Sequence, residues 1–335
     1  MKESVSPTVS VVIPAYNAAD TIGAALASVL RQTFMDFEIL VVDDASTDHT
    51  IDVARSVIAQ MQDRGRHRIL ALDVNRGPAA ARNRGISDAR GKWLAFLDAD
   101  DEWMPRRLEI QLDLSAQDRE VVLFCAGTVS FGTWSRTSRF RTVLGCAQGL
   151  GAEQRQTGIQ GDDDRSTIPS RRVTLADLAV DNVVAASSVL VRKAAVLSVG
   201  GFDEALRGPE DYDLWIRLVA KYQAVKLDAP LGKHREIEGS LSADDRVFLP
   251  QVLAMLRKHF SPGGSLFEFR ALHAAAVATQ YWHASWMAFC RGARGRALAH
   301  WCRGCMLGRK AGKRQSLRQG FALLLRYLMG TRPRF

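Results

Sequence analysis

The 335-residue chain lacks several features that would assign it to a class at once. Its five cysteines, Cys125, Cys146, Cys290, Cys302 and Cys305, form no disulfide framework by number or spacing, which points to a reducing compartment. Cys302-Arg-Gly-Cys305 stands alone, with no second pair to complete a zinc site. No apolar run follows Lys2 and Glu3, so no secretory signal is expected and the cytoplasm is the expected location. The first apolar strand ends in Pro14-Ala15-Tyr16-Asn17. A dinucleotide-binding dehydrogenase, or a nucleotidyltransferase, would carry a glycine-rich phosphate loop at that turn. Residues 271–290 carry no formal charge and are long enough to span a bilayer. They include His273, Thr279, Gln280, His283 and Ser285, which makes insertion poor. Trp282, Trp286 and Phe289 form a helical packing stripe there, so a buried or interfacial helix is the better expectation.

Acid is missing from the tail. Past Glu268 there is no Asp or Glu, against thirteen Lys and Arg from Arg270 to Arg334. Subtracting those thirteen from the net charge of +9 leaves residues 1–269 at −4, so the basic balance belongs to the carboxyl-terminal region. Leu317, Phe321, Leu324, Leu325 and Leu328 share one helical face there, with Arg318 and Arg326 off it. A basic amphipathic helix suits an anionic membrane surface; a helical subdomain packed on the body is the alternative. No nucleic-acid motif accompanies the charge, so no nucleic-acid partner is expected.

The most telling stretch that is present runs from Trp93 to Glu102, where an apolar strand stops abruptly at Asp98, Asp100 and Asp101. A buried strand cannot hold unpaired carboxylates without a large desolvation cost, so the acids emerge at its carboxyl end. That edge of an open α/β sheet is where ligands bind. Clustered carboxylates need a cation, and one or two of them plus substrate phosphates suit Mg²⁺ or Mn²⁺. Helix capping ahead of residues 106–114 is the competing role, and both fit together if Asp101 caps while Asp98 and Asp100 face the ligand.

The amino-terminal third repeats this grammar. Strands are expected at 8–13, 37–42, 68–72 and 93–97, with helices from Asp20, from about Ser46 to Gln62, and over 78–90. Alternation at this spacing implies parallel pairing with right-handed crossovers. Three of the four strands end in Asp, at Asp43-Asp44, Asp73 and Asp98, so carboxylates gather along one edge. Residues 132–172 are rich in Ser, Thr, Gly, Gln and Arg and read as a long flexible loop, its Asp162-Asp163-Asp164 included. Glu210-Asp211-Tyr212-Asp213 opens a helical pattern, where acids are commonplace first-turn residues.

Six segments in order resemble glycosyltransferase family 2. They are Val11 to Asn17, Val41 to Asp48, Ala81 to Ile86, Gly91 to Asp101, Ala186 to Lys193 with Gly200 to Glu204, and Gly208 to Leu218. The resemblance implies an α/β fold of GT-A type, a Rossmann-like mixed sheet flanked by helices. It implies a catalytic domain over 1–245 and a basic helical region over 246–335. The implied activity is metal-dependent transfer, with inversion, from a UDP-, GDP- or dTDP-sugar to a glycan or lipid-linked acceptor. Pro14, Ala15, Tyr16, Asn17, Asp44 and Arg82 would then hold the nucleotide, with Asp44 at the base edge. Asp98 would lie near the ribose, Asp100 would take the metal, and Asp211 would be the general base, leaving Asp213 structural. Glu210, His234, Arg235 and Asp98 are candidates for the diphosphate or acceptor. One departure stands out: the family's usual His after an Arg-x pair is Ile237 here, with His234 just ahead of Arg235. The alternative from another class is a catalytically silent nucleotide-sugar-binding or scaffold protein at the membrane.

Overall fold

The computed structural model describes residues 6–59, 66–131, 168–236 and 244–310. The acidic triplet Asp162–Asp164, Ile237 and the apolar face from Leu317 to Leu328 lie outside the described residues. The chain divides into two compact units, the first built from residues before 132, most of 162–178 and 182–235.

In the first unit, β1 (Val9–Ala15), β2 (Phe37–Asp43), β3 (Arg66–Ala71) and β4 (Trp93–Phe96) alternate with α1 (Ile22–Leu30), α2 (Thr50–Ala59) and α3 (Pro78–Asp88). These four strands pair in parallel, in the order β3-β2-β1-β4, as their alternation with helices requires. Every residue of β1 and β2 is buried, which is why both are mainly apolar; the exceptions inside them, Ser10 and Glu38, bond to each other at 2.6 Å, and Glu38 also pairs with Arg68. Each fully buried Val or Ile there contributes about 1.5–3 kcal/mol. Helix α3 lies close on this layer: a Cβ at Gly85 would stand 2.4 Å from Val12 Cγ1, so only glycine permits the approach.

Beyond β4 the sheet becomes mixed. β5 (Glu102–Trp103), α4 (Arg107–Gln117), β6 (Val121–Phe131), β7 (Ser170–Val173), α5 (Leu175–Leu178), β8 (Leu190–Arg192), α6 (Lys193–Ser198), α7 (Glu210–Val219) and β9 (Gln223–Arg235) follow. The full order is β3-β2-β1-β4-β8-β6-β9-β5, with β7 also on β9. β8 runs antiparallel to both neighbours, and β6 and β9 are parallel. Ser170 to Arg172, expected within the long loop, are strand residues instead, because β9 offers them an open edge.

The described part of the second unit centres on α8 (Asp245–Phe260), α9 (His273–Cys290) and α10 (Arg294–Lys310). The uncharged stretch after Arg270 is α9, whose Trp282 packs 6.3 Å from Trp301 of α10. Gly304 makes that contact fit, since a Cβ there would meet Trp282 Nε1 at 2.5 Å. Trp286 and Phe289 stack at 5.0 Å. Among the described residues no helix is long and apolar enough to cross a membrane.

Candidate active site

The carboxyl ends of β1, β2 and β4 bring the expected residues to one edge. Two loops there are laced together by side chains. Asn17, held at φ 48°, accepts from the Thr47 N–H at 2.8 Å, while its own N–H donates to Ser46 Oγ at 2.9 Å. Asp48 accepts from Ala19 N–H at 3.1 Å and Thr50 N–H at 3.0 Å, so it ties the loop after β1 to the start of α2. Asp44 is buried and accepts from the backbone N–H groups of Arg76 (2.8 Å) and Gly77 (2.7 Å). Those bonds bring the turn before α3 beside the Pro14–Asn17 loop, from which the Tyr16 ring projects at 49% exposure.

The acids after β4 separate into distinct environments. Asp98 is one-third exposed and receives Arg82 Nη2 at 2.7 Å. Its N–H donates to Ser187 Oγ at 3.1 Å. Asp101, only 2% exposed, caps no helix: α4 starts at Arg107, and Asp101 instead accepts from Arg235 N–H at 2.8 Å and lies 3.1 Å from His234 Nδ1. The pairing of β5 with β9 brings these residues together. Arg235 completes the fastening, donating to the Asp100 carbonyl at 2.9 Å and to Glu102 at 3.1 Å, over the Phe131 ring. Asp100 sits between. Burial, then the neighbouring Asp101 and Asp98 carboxylates, push its pKa up to about 7 against a smaller opposing pull from His234.

A carboxylate crowded by two others suits a hard cation shared with phosphate oxygens and water. No group of three or more His, Cys, Asp or Glu among the described residues could hold an ion alone. Asp100 and its neighbour Asp98 could supply one or two oxygens to a hard cation, leaving its other positions to further oxygen ligands.

Asp211 lies in the first turn of α7. Its carboxylate accepts from Asn182 Nδ2 at 3.2 Å and from the Tyr212 N–H at 2.6 Å. Burial, then Glu210, push its pKa up to about 7, while Arg82 pulls the other way. Glu210 is buried and accepts from Gly208 N–H at 2.7 Å and Arg82 Nη1 at 2.8 Å. Asp213 is fully buried against Arg217 at 2.6 Å, and Arg217 also donates to the Gly201 carbonyl at 2.8 Å. Asp213 thus anchors the turn before α7, the structural role expected of it.

Some supporting residues were not singled out by the sequence. Trp103 Nε1 donates to the Ser187 carbonyl at 2.8 Å, and the buried Arg107 guanidinium lies 3.8 Å over the Trp103 ring. Together they fix the turn that meets Asp98. Asn182, whose partner Asp211 is 29 positions away, carries no local signal of its role.

Comparisons with known proteins bear on the family and the fold. The model of Glycosyl transferase family 2 matches residues 10–174, and that of Glycosyltransferase like family 2 matches residues 153–261. The succinoglycan biosynthesis protein ExoU of Rhizobium meliloti is 32% identical over 253 residues, 72% of this chain and 66% of that protein. WfgD of Escherichia coli, named a UDP-Glc:alpha-D-GlcNAc-diphosphoundecaprenol beta-1,3-glucosyltransferase, is 41% identical over 106 residues, 32% of this chain. That match spans 40% of WfgD, and the match to the succinoglycan protein ExoO spans 29% of ExoO. The mannosyltransferase PcManGT of Pyrobaculum calidifontis shares the fold at TM-score 0.60 and 19% identity, over 98% of this chain and 88% of that one. TarS of S. aureus does so at TM-score 0.56 and 18% identity, over 93% of this chain and 92% of that one. The sheet, its acidic edge and the ordered motifs are thus those of a GT-A protein, and the chain belongs to glycosyl transferase family 2.

Proposed function

We propose that the chain transfers a sugar from a nucleoside-diphosphate donor to an acceptor hydroxyl, with inversion and with Mg²⁺ or Mn²⁺. The observation that carries this reading is Asp211: a carboxylate at a helix start, beside the Arg82 network that reaches Asp98, with its pKa pushed up to about 7. A hydroxyl is a poor nucleophile until a base takes its proton, and a base serves best when its acidity lies near the working pH. Asp211 takes that proton while Asn182 holds the carboxylate's aim. A single displacement by the activated hydroxyl inverts the anomeric centre. Residues Pro14 to Asn17 and Asp44 contact the nucleoside, and Asp98 stands by the ribose. His234 and Arg235 form the wall on the phosphate side, with Asp101 setting the His234 ring. When bound through Asp100, the cation supplies positive charge for the departing diphosphate.

The relatives support the substrate class. TarS was solved with UDP-GlcNAc and PcManGT with GDP-Man and Mn²⁺, so a UDP-, GDP- or dTDP-sugar is the donor proposed. ExoO, ExoU and WfgD carry names from polysaccharide or lipid-linked glycan synthesis. We accordingly propose a glycan or lipid-linked acceptor in cell-surface polysaccharide or glycolipid synthesis. Residues 1–245 form the catalytic domain in this proposal. The basic region 246–335 holds the chain to the cytoplasmic face of an anionic membrane.

The experiment is a panel of nucleotide sugars tested for thermal stabilisation with Mn²⁺ and with EDTA, because a bound donor stabilises by mass action. One donor family should raise Tm in Mn²⁺ alone, and the same donors should be consumed on incubation. Stabilisation without any hydrolysis or transfer, across a broad acceptor set, would mark a silent binding protein. No stabilisation by any donor would overturn the proposal.

A further inference from the structure

Arg82 is buried and turns both terminal nitrogens to carboxylates, with its Nε left inside, out of solvent and without a hydrogen-bond partner among the described residues. It leaves α3 and spends Nη2 on Asp98 at 2.7 Å and Nη1 on Glu210 at 2.8 Å. The residue is 4% exposed, and its guanidinium carbon lies 5.3 Å from the centre of the Phe202 ring, which closes another side. Phe202 is fastened by the next residue of α3: Asn83 accepts its N–H and donates to its carbonyl, both at 2.9 Å. Gly201 permits that contact at φ +70°, since a Cβ there would meet Asn83 Oδ1 at 2.8 Å. One turn of α3 therefore grips the loop before α7 while Arg82 bridges that helix to the end of β4.

Resting on the proposed transferase reading, we propose that Arg82 is a positioning residue: it fixes the start of α7, and so Asp211, against the donor-side acid Asp98 without touching the donor. The planar guanidinium suits this task because it can serve two carboxylates in fixed directions, which a single ammonium cannot reproduce. Charge adds to geometry. Asp211 faces Glu210 on its own helix, Asp98 from β4 and Arg82 from α3, with the neutral Asn182 amide on its carboxylate. Arg82 is thus the cation among three acids. Removing it would leave Asp211 harder to ionise and free to drift from the acceptor.

The test compares Arg82→Lys, Arg82→Met and Glu210→Gln in the full chain. Binding of UDP and of GDP with Mn²⁺ is measured by calorimetry, and transfer is followed from pH 5 to 9. A positioning role predicts nucleotide affinity within about threefold of the parent while kcat falls about tenfold or more, because uniform binding is untouched and a transition-state interaction is lost. The acidic limb of the rate profile should move to higher pH in Arg82→Met, which removes the charge, less in Arg82→Lys, which keeps a cation but not the two-carboxylate geometry, and to lower pH in Glu210→Gln. Should Arg82→Met fail to fold, the Lys and Gln variants carry the test. A nucleotide affinity lost about tenfold or more, with kcat and the limb unchanged, would make Arg82 a donor ligand and overturn the inference. If the parent chain transfers nothing, the functional reading fails, and the inference that rests on it falls with it.

Discussion

Carboxylates in the two units meet opposite conditions. At the start of α8, Asp244 accepts from the Arg246 backbone N–H, Nε and Nη2, at 3.0, 3.0 and 2.7 Å. Those bonds hold its pKa well below the usual carboxylate range. In the sheet unit, Asp100 and Asp211 are crowded by other acids and pushed up to about 7. The same unit supplies internal contrasts: Asp213 has Arg217, and Asp101 has the Arg235 N–H and His234. A carboxylate given its donors is part of the frame. One left short of them at a strand or helix end raises the energy of the fold, and such positions mark function.

The contrast is broken most severely at Asp100. Asp100→Ala should lower transfer by about 10²–10³-fold, the scale of losing one electrostatic stabiliser of developing charge. Its far-UV spectrum should be unchanged, and EDTA should reduce the parent to the same level. Full activity in EDTA would remove the cation from the account. Next comes Asp211→Asn, which keeps shape and removes the proton acceptor. Transfer should fall by about 10²-fold or more, with donor affinity little changed.

Much of this site was legible because its residues sit at element ends. β1, β2 and β4 announced themselves as mainly apolar runs, so the unpaired acids that stop them had to emerge at an edge, whereas Glu38 inside β2 is buried with Ser10 and Arg68 as partners. β6 and β9 were harder to see. β9 carries Lys226, Asp228, Pro230, Lys233, His234 and Arg235, and its role follows from pairing with β6, β5 and β7 rather than from its pattern. Asp101 was misread as a cap for the same reason. Its partners lie more than 130 positions away, beyond any local signal. The ordered motifs pointed to Asp98 and Asp211, but nothing local said that Arg82 would span Asp98 and Glu210.

Stability separates the two kinds of acid with opposite signs. Asp213→Ala strands Arg217 and should cost about 3 kcal/mol, the scale of breaking a buried pair. Asp211→Asn should stabilise. The folded-state pKa of Asp211, about 7, lies above the unfolded value near 4, so the folded state binds more protons between those limits. Its contribution therefore falls as pH rises through that window, and its cost is fully present above pH 7. The Asn variant should gain about 1–2 kcal/mol over the parent at pH 8, a figure reduced because Asp211 is partly open to water, and nothing at pH 4. Urea melts at the two pH values check both signs.

The smallest effect concerns the basic region. Each Lys or Arg near an anionic bilayer adds up to about 1 kcal/mol, screened by salt. The full chain should sediment with phosphatidylserine vesicles at low salt and less at high salt. Indifference at low salt would leave the region as a packed helical subdomain only.

The most direct test of the central claim is the pH dependence of kcat/KM in saturating Mn²⁺, measured for the parent and Asp211→Asn. The account predicts an acidic limb near pH 7 in the parent, where Asp211 must lose its proton before it can act as base. That limb should be absent from the residual activity of the variant. A parent rate that is flat from pH 5 to 9, or an Asn variant keeping more than about a third of the rate, would show that Asp211 is not the base.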